Sequence, residues 1–239
     1  MIIVKSLEEL SNNPFTSPFA LVPTMGNLHE GHINLLEIAR EKNYLPVVSI
    51  FVNPLQFGPN EDLDKYPRTL DNDLEILEKN NCHGVFIPQE NEILKNIEPL
   101  EAPFADKLCA KSRPGHFNGV ITIVNKLFEV TNPQACVFGM KDFQQQLIIQ
   151  HLIKTKQYEI QFLSAPVVRD TNGLALSSRN NYLTSKQRTE ASKVFTFLSE
   201  IQEEIKLSFK KQKKTLPIDL DTIKDNYVEI IENKGFKID

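Results

Sequence analysis

The residues most able to do chemistry are His29-Glu30-Gly31-His32. Two histidines three apart share one face of a helix. At a helix N-terminus they join free backbone N–H groups and the positive end of the macrodipole. That combination suits phosphate: imidazoles donate hydrogen bonds to phosphate oxygens and stabilise charge that builds during attack on an α-phosphate. Gly31 keeps the backbone between them unobstructed. The competing reading is an exposed helix start with two incidental histidines. The buried run Phe19-Ala20-Leu21-Val22 and the loop Pro23-Thr24-Met25-Gly26 just before it argue against that.

Other segments can act with this one. Leu176-Ser177-Ser178-Arg179 offers two hydroxyls and a guanidinium, which makes planar bidentate phosphate contacts. Gly139-Met140-Lys141-Asp142 stands at a strand end and a helix start, with Lys141 available to phosphate. Asn53-Pro54-Leu55-Gln56-Phe57-Gly58 brings amides, which recognise hydroxyls and carboxylates without competing charge. Gln145, inside Gln144-Gln145-Gln146, supplies a second amide. Three glutamines in a row otherwise form a solvated helix face, so only one need point inward. Arg113-Pro114-Gly115-His116-Phe117 reads as a turn joining two segments.

These residues must be held by a frame. Apolar runs at Phe19–Val22, Pro46–Val52, Gly84–Pro88, Ala135–Phe138 and Ile160–Pro166 predict five buried strands. Between them Gly31–Ala39, Thr69–Asn80, Gly119–Val130 and a segment opening at Phe143, Leu147 and Ile148 predict helices. This alternation points to an α/β fold, a Rossmann-like parallel sheet with helices on both faces. Ligands of such sheets bind at the carboxyl ends of strands, so chemistry is sought after residues 22, 52 and 138. The texture changes near residue 170. A domain over residues 1–170 and a small lid-like one over 171–239 are expected. In the second, Thr184-Ser185-Lys186-Gln187 has the form of a capping box. Behind it Ala191, Val194, Phe195, Leu198, Ile201 and Ile205 form an apolar stripe. Lys206, Lys210, Lys211, Lys213 and Lys214 follow, read as a solvated helix end. A last helix is predicted over Leu220–Lys234, with Gly235 as its C′ residue.

Composition narrows the class. The chain has 239 residues, 41% hydrophobic and 24% charged, which suits a folded globular protein. Its 27 basic and 31 acidic residues give a net charge of −4, against a general nucleic-acid binder. Cys82, Cys109 and Cys136 form no metal-binding or disulfide pattern and fit a reducing cytoplasm. No apolar run approaches the ~20 residues that span a bilayer, so no membrane partner is expected.

The motifs Pro23-Thr24-Met25-Gly26-Asn27-Leu28-His29-Glu30-Gly31-His32, Phe51–Gly58, Tyr66-Pro67-Arg68-Thr69, Arg113–Phe117, Lys141-Asp142-Phe143-Gln144-Gln145 and Ser177-Ser178-Arg179-Asn180 stand in one order. In this they resemble the pantothenate synthetase (pantoate–β-alanine ligase) family, from about Ala20 to about Arg188. H-x-G-H with a distant serine-rich loop also marks the wider nucleotidyltransferase superfamily. The resemblance implies ATP-dependent condensation of pantoate with β-alanine through a pantoyl adenylate, releasing pyrophosphate and AMP. It implies that Met25, Gly26, Asn27, Leu28, His29, Glu30, Gly31 and His32 line the ATP site, with His32 as catalytic proton donor and His29 beside it on the phosphates. Gly139, Met140, Lys141, Asp142, Val168, Leu176, Ser177, Ser178 and Arg179 match nucleotide-contacting positions, Lys141 among the catalytic ones. Gln56 matches a residue shared by pantoate and β-alanine, Gln145 the second pantoate amide, and Asn53 a polar residue in the β-alanine region. Mg²⁺ is expected mainly on phosphate oxygens, with Asp73 as a supporting carboxylate. A homodimer is expected from the resemblance alone.

Two departures accompany the match. Met140 stands where the family usually has glutamate, and Leu176 replaces a frequent methionine, a near volume-conserving change. Members usually run several tens of residues further, so an incomplete small domain is expected. Two other readings remain open on the residues: another H-x-G-H nucleotidyltransferase, and a catalytically impaired nucleotide-binding protein. Retention of both histidines, Lys141 and the Ser-Ser-Arg turn argues against the second.

Overall fold

Six parallel strands form one sheet in the computed structural model, which describes residues 1–15, 18–211 and 220–238. They are β1 (Ile2–Val4), β2 (Phe19–Thr24), β3 (Leu45–Ile50), β4 (Gly84–Phe86), β5 (Ala135–Gly139) and β6 (Gln161–Ala165), in the order β1-β4-β3-β2-β5-β6. The helices are α1 (Leu7–Ser11), α2 (Glu30–Glu41), α3 (Leu70–Lys79), α4 (Glu90–Ile93), α5 (Cys109–Ser112), α6 (His116–Thr131), α7 (Phe143–Thr155), α8 (Ser185–Lys211) and α9 (Leu220–Asn233). The predicted α/β class is the observed one. Strand β1 is an addition to the five predicted, because three residues with an exposed Ile3 carry too little pattern.

The four central strands, β2 to β5, are buried on both faces, as their continuous apolar runs require. Leu21, Val47, Phe86 and Cys136 belong to one hydrophobic cluster; Val22, Val48, Val85 and Val137 belong to another. The first is capped by α6 and α7 residues, including Phe128, Ile148 and Ile149. The second takes Leu36 and Ala39 of α2 and Leu77 of α3. From β2 the chain runs outward to β3 and β4, then returns so that β5 pairs β2 from the other side. The carboxyl ends of β2 and β5 therefore flank the point where winding reverses, the crevice in which such sheets bind ligands.

Helix α6 begins at His116, a turn earlier than the predicted start at Gly119. Gly115 at φ 81° turns the chain into it. Gly119 lies inside this helix and has no side chain because a Cβ there would lie 2.1 Å from the Leu55 carbonyl oxygen. The predicted Gln144–Gln146 surface is a second difference. Gln144 and Gln146 are buried, with Gln144 donating to the carbonyls of Phe104 and Lys107 and Gln146 to that of Phe138.

The chain divides into two compact units, Met1–Val168 and Arg169–Asp239. In the second, Arg169 lies 4.0 Å over the Phe195 ring and donates to the Gly173 carbonyl. The capping box at α8 is present: Gln187 N–H donates to Thr184 Oγ1, and Gln187 Oε1 accepts from Thr184 N–H. Helix α8 packs on α9, and buried Phe197 of α8 meets the ring of Phe236, just beyond α9, edge-on. Val194, Phe195 and Leu198 of the predicted stripe are exposed instead. Gly235, at φ 87°, follows α9 as a C′ residue should. Lys213 and Lys214 lie outside the described residues. Among the described residues no helix is long and apolar enough to cross a membrane. The three cysteines are unpaired.

Candidate active site

The loop after β2 is built around one buried carboxylate. Asp73 of α3, 1% exposed, accepts from the backbone N–H groups of Asn27 (2.9 Å) and Leu28 (2.8 Å) and from Thr69 Oγ1 (3.2 Å). Gly26 and Asn27 both adopt the left-handed region, at φ 77° and 50°. A Cβ at Gly26 would meet Asp73 Oδ2 at 2.9 Å. Thr24 Oγ1 accepts from the Gly26 N–H and donates to the Ser49 carbonyl. Both oxygens of Asp73, the carboxylate expected to support Mg²⁺, thus accept hydrogen bonds within this segment. Among the described residues no group of three or more His, Cys, Asp or Glu side chains is placed to hold a metal ion.

The clamped loop delivers the two histidines in a defined chemical state. His29 is the N-cap of α2, and its Nδ1 accepts from the Gly31 N–H at 3.0 Å. His32 Nδ1 in turn accepts from the His29 N–H at 3.2 Å. An accepting Nδ1 carries no proton, so both neutral rings carry theirs on Nε2. The rings lie 4.1 Å apart between centroids. Burial first, then the Lys141 charge, lowers the His29 pKa, against one backbone hydrogen bond that raises it. Burial, then His29, then Lys141, lowers His32 to about 3. At neutral pH the pair therefore presents two uncharged Nε2–H donors rather than imidazolium.

Lys141 reaches this pair from the loop after β5. It sits in the 3₁₀ turn Met140–Asp142 and pairs with Asp142 at 3.0 Å, both side chains more than a third exposed. Such an exposed pair is worth little, so the ammonium is easily redirected to an anion. Gly139 has no protein atom within 4 Å of where a Cβ would stand. Met140 is exposed. Half-buried Val168 closes the first unit.

The amide segment lies at the carboxyl end of β3. Asn53 is 2% exposed: Oδ1 accepts from Leu55 N–H, and Nδ2 donates to the Gly119 carbonyl (3.1 Å) and to Gln56 Oε1 (2.9 Å). Asn53, expected in the β-alanine region, thus orients the Gln56 side chain. With Oε1 taken, half-buried Gln56 keeps its Nε2 as a donor. Gln145 is also half-buried and, among the described residues, makes no side-chain hydrogen bond, unlike its two neighbours. A cavity of about 250 Å³ opens beside Met25 and Gly26, lined also by Val52, Arg68, Asp73 and Pro88.

In the second unit, Ser177 caps the 3₁₀ turn Ser178–Tyr182 by accepting from the Arg179 N–H. Ser178 is buried, Leu176 half-buried and Arg179 exposed. Sequence reading named Arg113 and His116 only within a joining turn and did not name Glu61. Arg113 pairs with Glu61, and its Nη1 lies 3.0 Å from His116 Nε2. The signal available was the motif Arg113-Pro114-Gly115-His116, which reads locally as a plain turn.

A model of the pantoate-beta-alanine ligase family matches residues 3–238. The chain belongs to that family. It is 39% identical over 247 aligned residues to pantothenate synthetase of Thermosipho melanesiensis, covering all of this chain and 85% of that protein. The Idiomarina loihiensis enzyme of the same name is 45% identical over 214 residues, covering 87% and 76%. Among solved structures, pantothenate synthetase of Thermus thermophilus superposes with a TM-score of 0.80 at 38% identity, covering 85% of this chain and 75% of that one. The Francisella tularensis pantoate-beta-alanine ligase, solved with beta-gamma ATP and beta-alanine, also gives 0.80, at 33% identity, covering 100% and 90%. Homologues in this ligase family are thus similar along nearly the whole chain, small second unit included.

Proposed function

We propose that this protein is an AMP-forming ligase that condenses pantoate with β-alanine at the expense of ATP. One observation carries the reading: two neutral Nε2–H imidazoles and an exposed lysine meet at the switch point of a parallel sheet. Family membership adds the substrates. A pantoate carboxylate oxygen attacks the α-phosphorus; the bond to the bridging oxygen breaks and pyrophosphate leaves. The β-alanine amine then attacks the acyl carbon, the acyl–phosphate bond breaks, AMP leaves and the nitrogen loses a proton.

The chain's own residues bind and polarise. Nε2–H of His32 and of His29 donate to phosphate oxygens as charge grows, an effect that strengthens in the transition state. Lys141 leaves Asp142 for the phosphates. Gln56 Nε2 and Gln145 hold the pantoate. Backbone of Met25–Leu28, Gly139–Asp142 and Val168 accepts the nucleotide. Mg²⁺ enters as part of the nucleotide substrate, held by its oxygens, since Asp73 is committed to the loop. A homodimer and a cytoplasmic location are part of the same proposal and rest on the family resemblance.

The test is incubation with Mg-ATP and pantoate, with and without β-alanine, followed by mass spectrometry. Pantothenate plus AMP only with β-alanine is expected. Absence of any pantoate-dependent product overturns the reading. Pantoyl adenylate that never becomes pantothenate overturns the second step.

A further inference from the structure

The segment Pro54–Gln56 is gripped from α6 at several atoms. His116, buried at 9% exposure, has Nδ1 2.7 Å from the Gln56 carbonyl oxygen. A carbonyl only accepts, so Nδ1 carries the proton. Nε2 faces Arg113 Nη1 at 3.0 Å, and a guanidinium only donates, so Nε2 is the acceptor. The two partners leave one tautomer, opposite to that of His29 and His32. Arg113 is itself held by Glu61, with Nε donating to Oε1 at 2.9 Å and a second contact between Nη2 and Oε2. Beyond this, Gly119 lies so close to Leu55 that no side chain fits between them. Asn53 ties the Gly119 carbonyl to Gln56 Oε1.

We infer that His116 is a positioning residue: with Glu61 and Arg113 behind it, it fixes the Gln56 main chain so that the Gln56 amide meets the carboxylic acid substrate. Asn53 holds the side-chain oxygen and His116 the main-chain oxygen. Without the second hold, the turn pivots about Asn53 and the free Nε2–H leaves its place. The substrate assignment rests on the ligase reading above; the positioning claim rests on the hydrogen bonds.

The test uses His116→Asn, His116→Gln and His116→Ala in the full chain. Asparagine places its amide nitrogen where Nδ1 stands and keeps the donor to Gln56. Glutamine reaches toward the Nε2 position and does not. The Gln and Ala variants raise KM for pantoate about tenfold, the loss of one oriented hydrogen bond, with KM for ATP within about twofold; Asn restores most of the difference. A histidine that only supports the fold moves both KM values together or neither, and either outcome overturns the claim. Crystal structures of His116→Asn and His116→Gln decide it without activity. Gln56 stays in place in the first and shifts in the second; an unmoved Gln56 in His116→Gln overturns the inference. If wild-type protein shows no pantoate-dependent pyrophosphate release, the ligase reading falls while the crystal comparison still judges the positioning claim. Should the buried variants fail to fold, Glu61→Gln loosens Arg113 from the half-exposed end. A rise in pantoate KM of about threefold supports the chain of contacts, and an unchanged KM overturns it.

Discussion

Replacing His32 by asparagine separates the charge state of the site from its shape. The variant keeps an oxygen where Nδ1 now accepts from the His29 N–H, but it cannot titrate. In the native protein the His32 pKa falls from 6.5 to about 3. A lowered imidazole pKa means that the unfolded chain takes the proton first on acidification. Stability from this group is thus whole above pH 6.5 and drains away as pH falls toward 3. Between pH 7 and pH 5 the unfolded form gains about 0.7 of a proton that the folded form refuses. At about 1.36 kcal/mol per pH unit, with titration near 6.5 subtracted, the loss is about 2 kcal/mol. Urea unfolding at the two pH values reads this directly: the wild type loses about 2 kcal/mol more than His32→Asn. Carbon-13 NMR of the five histidines gives the second reading, with the His32 ring unchanged while ordinary imidazoles titrate. A His32 midpoint above about 5.5, or equal losses in both proteins, refutes the neutral-donor account.

Three further outcomes follow from the same contacts. Asp73→Asn sets an amide against one of two backbone N–H donors and costs about 2–4 kcal/mol, with weaker ATP binding by calorimetry; a loss under about 0.5 kcal/mol removes the clamp. Lys141→Met takes away a charge that lowers both histidines, so both pKa values rise, and NMR titration that finds neither moved disproves the coupling. Gly119→Ala drives a Cβ into the Leu55 carbonyl and destabilises by about 3 kcal/mol; chemical denaturation that matches wild type refutes the tight approach.

Local pattern alone determined a good deal. The runs Phe19–Val22, Pro46–Val52 and Ala135–Phe138 are apolar almost without interruption, which suits strands covered on both faces. That placed the chemistry at strand ends, and H-x-G-H after the first of them is where the histidine pair stands. The capping box at Thr184 and the C′ glycine at Gly235 were legible because each depends on neighbours within a turn. Tertiary structure decided what composition leaves ambiguous. Asn53 and Gln56 are both amides three residues apart, yet one has both its donors taken by the fold and the other keeps a free donor. Asp73 is a helix-face carboxylate by sequence and becomes a loop anchor because Asn27 and Leu28, 46 and 45 residues away, turn their N–H groups onto it. Gln144 and Gln146 are buried because Phe104, Lys107 and Phe138 offer carbonyls that no nearby residue could foretell. The protonation of His29 and His32 belongs with these. Residue type supplies two imidazoles, and only their burial, their mutual cap and Lys141 make them neutral.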